Sequence, residues 1–166
     1  MSTLSTLGIV HTAISLAAIP TGIASFARHG RIAPETRVGK VYLAATLLGA
    51  LTAFGVLKTP VGLGIILMTL LALAAGISAS YLPWSALARR YVETISLSVS
   101  FFFVLLPGVT ETLTRLPVGA PIAPSLNAPI LLAAQSSLVL ALAAGLALQI
   151  SRLRAAPRLR AVPRLA

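Results

Sequence analysis

The polar side chains inside the apolar runs are the residues of this sequence that could do chemistry. His11 lies seven residues after Leu4, the start of the first apolar run, which places it ~10 Å into a membrane if the run is helical. Met68 and Gln135 lie at comparable depth, and Glu111 lies above them near the outer surface. Because ionisable groups are costly in a bilayer, the pattern predicts an outward-facing ligand-binding pocket formed by His11, Glu111 and Gln135.

His11 has three other interpretations. It is a neutral imidazole hydrogen-bonded to a neighbouring helix, a side chain that reaches the headgroups, or a haem ligand with Met68, since His/Met pairs occur in cytochromes. Methionine in an apolar helix usually fills space instead. His29 is eighteen residues from His11, ~27 Å along a helix, and cannot share its iron. His29 is predicted to be a solvated loop residue between Arg28 and Arg31.

Arg89 and Glu93 stand four residues apart at the start of the fourth apolar run, a spacing that predicts a structural ion pair on one helix. A proton-coupled role for Glu93 in a transporter is the alternative. The sequence shows no phosphate-binding glycine loop, no catalytic triad pattern and no metal-ligand cluster, and it contains no cysteine. No enzymatic activity, metal site or resident cofactor is therefore predicted.

The composition sets the class of protein. Hydrophobic residues make up 57% of the chain, charged residues only 10%, and the mean hydropathy is +0.96, far from the usage of soluble domains. The net charge of +10 comes from basic residues at the ends of apolar runs, without aromatic interleaving, so a nucleic-acid partner is not expected. The prediction is an all-α integral membrane bundle.

Five apolar runs are long enough to be read as transmembrane helices. We predict a single membrane domain over residues 1–151 and a basic tail over 152–166. The spans are predicted at about residues 4–26, 41–57, 61–82, 91–108 and 130–150. Pro157 is expected to break any helix in the tail, and the proline-rich stretch before the fifth span is expected to be an extended outer loop.

The basic residues predict the orientation of these spans. Eleven of the thirteen lie on one side of the five-span topology. They are Arg28, Arg31, Arg37, Lys40, Arg89, Arg90, Arg152, Arg154, Arg158, Arg160 and Arg164. Lys58 and Arg115 lie on the other side. The positive-inside rule then places the N-terminus outside and the C-terminus in the cytoplasm, as for a multi-pass protein of a bacterial inner membrane.

Two kinds of partner follow from the same pattern. Arginines in the tail are expected to bind anionic lipid, gaining about 1 kcal/mol each. Small residues recur every four positions in several helices, and in lipid such faces allow close helix contact. In the fifth run they are Ala133, Ser137, Ala141 and Gly145. They either pack within one chain or form the seam of a homo-oligomer.

Two segments carry a family resemblance. Residues 8–13 (GIVHTA) and residues 30–42 (GRIAPETRVGKVY) resemble a bacterial family of multi-spanning membrane proteins of unknown function, which is distantly similar to transmembrane b-type cytochromes. In that family an early histidine is followed by a loop histidine before a Gly-x-x-Tyr motif. His11, Gly39 and Tyr42 match, and Glu35 stands where the loop histidine is expected. The resemblance implies haem b with His11 as an axial ligand.

Three functions are compatible with these features. The favoured one is a small accessory membrane protein with an outer-leaflet pocket around His11 for a small apolar ligand such as a quinone. A small transporter or exporter that acts as an oligomer is the second, and a membrane redox protein holding haem is the third.

Overall fold

The computed structural model describes residues 6–57 and 59–160. They form five α-helices and one short 3₁₀ helix. The helices are α1 (Thr6–His29), α2 (Arg37–Ala53), α3 (Pro60–Ser78), α4 (Ala86–Arg115) and α5 (Pro129–Arg160), with the 3₁₀ helix at Ala79–Tyr81. The predicted all-helical class is confirmed. Three parts of the predictions lie outside the described residues: the start of the first span at residue 4, Lys58, and the tail from residue 161.

Four of the helices are long and apolar enough to cross a membrane, which confirms a multi-pass membrane protein. They are α1, α3 with its 3₁₀ turn, α4, and α5 as far as Ala155. The remaining helix, α2, has 17 residues. At 1.5 Å per residue it is ~25 Å long, slightly less than a hydrocarbon core of ~30 Å.

The core lies where α1 packs on α2 and where α3 and α1 meet α4. Its buried side chains come from four helices and from the first loop. They are Ala18, Ile32, Tyr42, Ala45, Leu73 and Leu97. The Phe101 ring of α4 fills the centre, 5.4 Å from the Phe26 ring and 5.9 Å from the Tyr42 ring, both measured between centroids. Ile32 is 0% exposed, so the first loop folds into the bundle instead of lying over it.

Polar contacts with the backbone hold the first loop in place. Gly30 ends α1 with a φ of +68°, the left-handed conformation that glycine adopts readily after a helix. The Ser25 hydroxyl donates to the Arg31 carbonyl at 3.1 Å and accepts from the Ala33 amide at 3.0 Å. Gly39, in the first turn of α2, lies so close to the Ala33 carbonyl that a Cβ there would overlap it. The loop is therefore a fixed part of the fold.

Three helices continue beyond their predicted ends. The first span was predicted to end at residue 26, but α1 continues to His29, which was predicted to lie in the loop. Whereas span four was predicted to end at 108, α4 runs through Pro107 to Arg115. Similarly, α5 continues through Pro157 to Arg160, although this proline was predicted to break the helix. Each interior proline removes one backbone hydrogen bond, and in membrane helices neighbouring groups compensate.

The proline-rich segment 116–128 folds against the ends of α4 and α5. Its Ala123 amide donates to the Leu113 carbonyl of α4 at 2.8 Å. Ala123 and Ala128 are buried with Leu131 of α5, and Val109 packs against them. The segment expected to be an extended loop is therefore a cap over one end of the bundle.

Candidate functional site

The predicted pocket residues make separate contacts in the structure. His11 Nδ1 lies 3.0 Å from Thr52 Oγ1, which links α1 to α2. Gln135 Nε2 donates to Thr110 Oγ1 at 3.1 Å, which links α5 to α4. Glu111 pairs with Arg115 on its own helix. Within the described ranges these three side chains share no hydrogen bond, and His11 has the neighbouring-helix contact expected of a structural imidazole.

Met68, the other residue considered for haem, is 46% exposed. It lies on the outer surface of α3, while His11 faces Thr52 of α2. A haem between His11 and Met68 would need both side chains to face one cavity. Because Met68 faces outward, His11 and Met68 do not fit haem as a pair of axial ligands.

Glu93 pairs with Arg31 of the first loop, where the sequence predicts Arg89. Arg31 Nη1 donates to Glu93 Oε1 at 2.6 Å, and both side chains are mostly buried. Arg89 donates to the Ser80 carbonyl at 3.3 Å, at the 3₁₀ turn that follows α3. Arg89 reaches this exposed carbonyl because the turn lies beside the start of α4. The pairing of Glu93 with Arg89, predicted from their helical spacing, is therefore wrong.

Arg31 also binds Glu35, so two of the chain's three acidic residues meet on one guanidinium. Arg31 Nη2 donates to Glu35 Oε1, and Nη1 also donates to the Ile32 carbonyl at 3.3 Å. The Glu35 side chain is 60% exposed, whereas that of Glu93 is only 19% exposed. We call Arg31, Glu35 and Glu93 the charged cluster.

The charged cluster lies at one end of a groove between α2 and α3. The end nearest the cluster has a volume of about 360 Å³. Its lining residues are Pro34, Glu35, Leu43, Gly76, Ile77, Ser80, Tyr81 and Glu93. A second part of about 460 Å³ extends toward the membrane interior and shares Ile77 and Tyr81 with the first. Its other lining residues are Leu47, Leu70, Leu73, Ala74 and Ser78. Away from the cluster the groove is lined mainly by apolar side chains, and Ser78 and Ser80 are its serine residues.

The groove lies between two closely packed helix pairs, α1 with α2 and α3 with α4. Gly49 of α2 lies against Ser15 of α1, and Gly76 of α3 lies against Leu97 of α4. Close helix approach in a membrane depends on such small residues. Larger side chains, including Leu47 and Ile77, remain on the faces of α2 and α3 that line the groove. These two helices consequently leave a cleft between them.

Sequence reasoning missed this site because it searched for polar residues deep in the spans. One signal was present: Arg31 and Glu35 are four residues apart in the basic loop. The cleft combines an apolar surface with a few polar groups at one end, which is the usual character of a small-molecule site. No protein-family model matches this sequence, and neither the curated proteins nor the solved structures that were searched give a match.

Proposed function

We propose that this protein binds a small apolar or amphiphilic molecule from the bilayer in the groove between α2 and α3. The observation that carries the proposal is the position of the charged cluster at one end of this otherwise apolar groove. The ligand class agrees with the sequence-based expectation, but the site differs from the one around His11. The protein acts as an accessory or carrier protein of the membrane, with no chemical step assigned to it.

The shape of the groove supports an elongated ligand. From Leu70 to Tyr81 it follows eleven residues of α3 and its 3₁₀ turn, or ~16 Å at the α-helical rise. Lipid chains reach it directly because Tyr81 is 84% exposed and Leu47 is 41% exposed. An alkyl chain would lie along the apolar part with its polar head at the charged cluster.

Filling the groove should abolish binding. Ala74 lines it and is exposed, so Ala74→Phe adds a ring inside the cleft without entering the core. We expect photolabelling of residues 70–81 by a dodecyl probe carrying a diazirine to fall at least tenfold. Peptide mass spectrometry of the protein in lipid nanodiscs measures this.

The matched control is Ala13→Phe, which places the same ring on an exposed position of α1 outside the groove. It should leave the labelling of residues 70–81 unchanged. Equal labelling of the wild type and Ala74→Phe, with both variants folded, would contradict the proposal.

We also propose that α2 is a fifth membrane crossing, with the N-terminus outside and the C-terminus in the cytoplasm of a bacterial cell. Contacts along α2 support this topology. Its first turn meets Ala33 just after α1, and Thr52 near its other end meets His11 near the start of α1. The pair α1 and α2 is therefore antiparallel over most of its length. The basic loops gather at one end, where Gln149 of α5 donates to the Gly30 carbonyl.

The absence of cysteine makes this topology directly measurable. Single cysteines replacing Val61 and Ala120 should react with a membrane-impermeant maleimide applied to intact spheroplasts. Cysteines replacing Pro34 and Pro83 should react only after the cells are opened. Labelling of Pro34→Cys and Val61→Cys from the same side would exclude the fifth crossing.

The homo-oligomer and the anionic-lipid partner also remain proposals. Exposure of Ala133, Ser137 and Ala141 on α5 supports an oligomer seam, because this face is not used for packing on α4. Arg152 and Arg154, near the C-terminal end of the apolar part of α5, support contact with anionic headgroups. An oligomeric transporter is the alternative function that such a seam would serve.

A further inference from the structure

We infer that the ligand of the groove carries a cationic head with several hydrogen-bond donors, as in a primary alkylammonium ion. This inference rests on the proposed function, because it names the chemistry of a molecule held in the same groove. Its basis is the identity of the polar groups that line the end near the charged cluster.

Those lining groups are acceptors rather than cations. Glu35 and Glu93 line the groove with Ser80, whereas Arg31 is not among the lining residues. Arg31 uses only the Oε1 atom of each carboxylate. Over the part of the chain that the structure describes, no hydrogen bond reaches either Oε2 atom. Two carboxylate oxygens are thus free to accept donors from a ligand.

The charges of the cluster favour the same kind of head. One guanidinium is shared by two carboxylates. Arg90 adds a positive field at Glu93, but like Arg31 it does not line the groove. An ammonium head would meet the carboxylates directly and form charge-assisted hydrogen bonds, which are about twice as strong as neutral ones.

An anionic head is disfavoured by the same geometry. Arg31 does not line the groove and is already paired with Glu35 and Glu93, and the 2.6 Å contact between Arg31 and Glu93 is mostly buried. Breaking such a contact leaves a carboxylate without its cation, which is strongly unfavourable. A neutral hydroxyl head would fit the groove and could donate one hydrogen bond to a carboxylate, but it would lack the positive charge and the additional donors of an ammonium head.

The test compares three diazirine probes with the same dodecyl chain and different heads: ammonium, hydroxyl and carboxylate. With the full-length protein in nanodiscs of neutral lipid, we expect the ammonium probe to label residues 70–81 at least tenfold more efficiently than the other two. The preference should decrease as the NaCl concentration rises, because Glu35 is largely exposed.

Two substitutions test which acidic residue causes the preference for the ammonium probe. Glu35→Gln, at an exposed position, should reduce labelling by the ammonium probe about fivefold while leaving the hydroxyl probe unchanged. Glu111→Gln, which changes the remaining acid at the other end of α4, should have no effect. The head-group comparison and its salt dependence use the wild type, so the test does not depend on the stability of a variant.

Each outcome has one meaning. Equal labelling of the groove by the three probes would overturn the ammonium inference and leave the proposed function intact. Stronger labelling by the carboxylate probe would also overturn the inference and would point to an anionic ligand. If no probe labels residues 70–81, the proposed function itself fails.

Discussion

Replacing Gly39 by alanine is expected to destabilise the protein by ~3 kcal/mol or more, the upper range for overpacked sites. The added methyl group would overlap the Ala33 carbonyl oxygen, which is backbone and cannot rotate away. That carbonyl also accepts hydrogen bonds from the amide and hydroxyl of Thr36, the N-cap of α2. The substitution should therefore separate the first loop from α2. Titration of the detergent-solubilised protein with SDS, followed by the fluorescence of Trp84, measures the loss.

Gly64→Ala is the matched control for this prediction. A Cβ at Gly64 meets nothing within 4 Å, and the residue lies inside α3. Alanine is favoured over glycine within helices by about 1 kcal/mol, so this variant should be as stable as the wild type or more stable. A wild-type unfolding curve for Gly39→Ala would show that the close approach of α2 to the first loop is not required.

Removing the shared cation is expected to have a similarly large effect. Arg31→Gln leaves Glu93 with its carboxylate mostly buried and without an ion-pair partner. Breaking a buried pair costs about 3–5 kcal/mol, and we expect the low end because roughly a fifth of each side chain is exposed. The same SDS titration measures the change in the free energy of unfolding.

A second substitution tests the cause of this loss. Glu93→Gln in the Arg31→Gln background should restore most of the stability, because the unpaired buried charge is then gone. Arg115→Gln is the control. Its pair with Glu111 is more than half exposed on both sides, and such pairs contribute at most about 1 kcal/mol. Additive losses from Arg31→Gln and Glu93→Gln would mean that the two residues act independently.

The sequence predicts the helices well, because helix formation in a membrane depends on local properties. Apolar length placed all five helices, and the third span was predicted to begin at residue 61, one residue after α3 begins at Pro60. Helix ends were less predictable. Pro107 and Pro157 look like terminators in a sequence, but a helix within a bundle can tolerate one missing hydrogen bond.

The candidate site could not be predicted, because it depends on residues far apart in the chain. Arg31 and Glu93 are 62 positions apart, and nothing in a single sequence links them. The pocket around His11 was predicted from the depth of its residues in the membrane. Depth does not reveal which side of a helix a side chain lies on. The groove lies between two closely packed helix pairs, and the sequence shows the small residues of each helix without showing which helix they contact.

The distance in sequence between Arg31 and Glu93 also bears on how the protein is made. Arg31 and Glu35 leave the ribosome with the first hairpin, long before α4 is synthesised. Until then the loop lacks Leu97 and Phe101, the residues of α4 that pack around Ile32 and Phe26. Assembly of the bundle is thus completed late, when α4 is present and Glu93 can pair with Arg31.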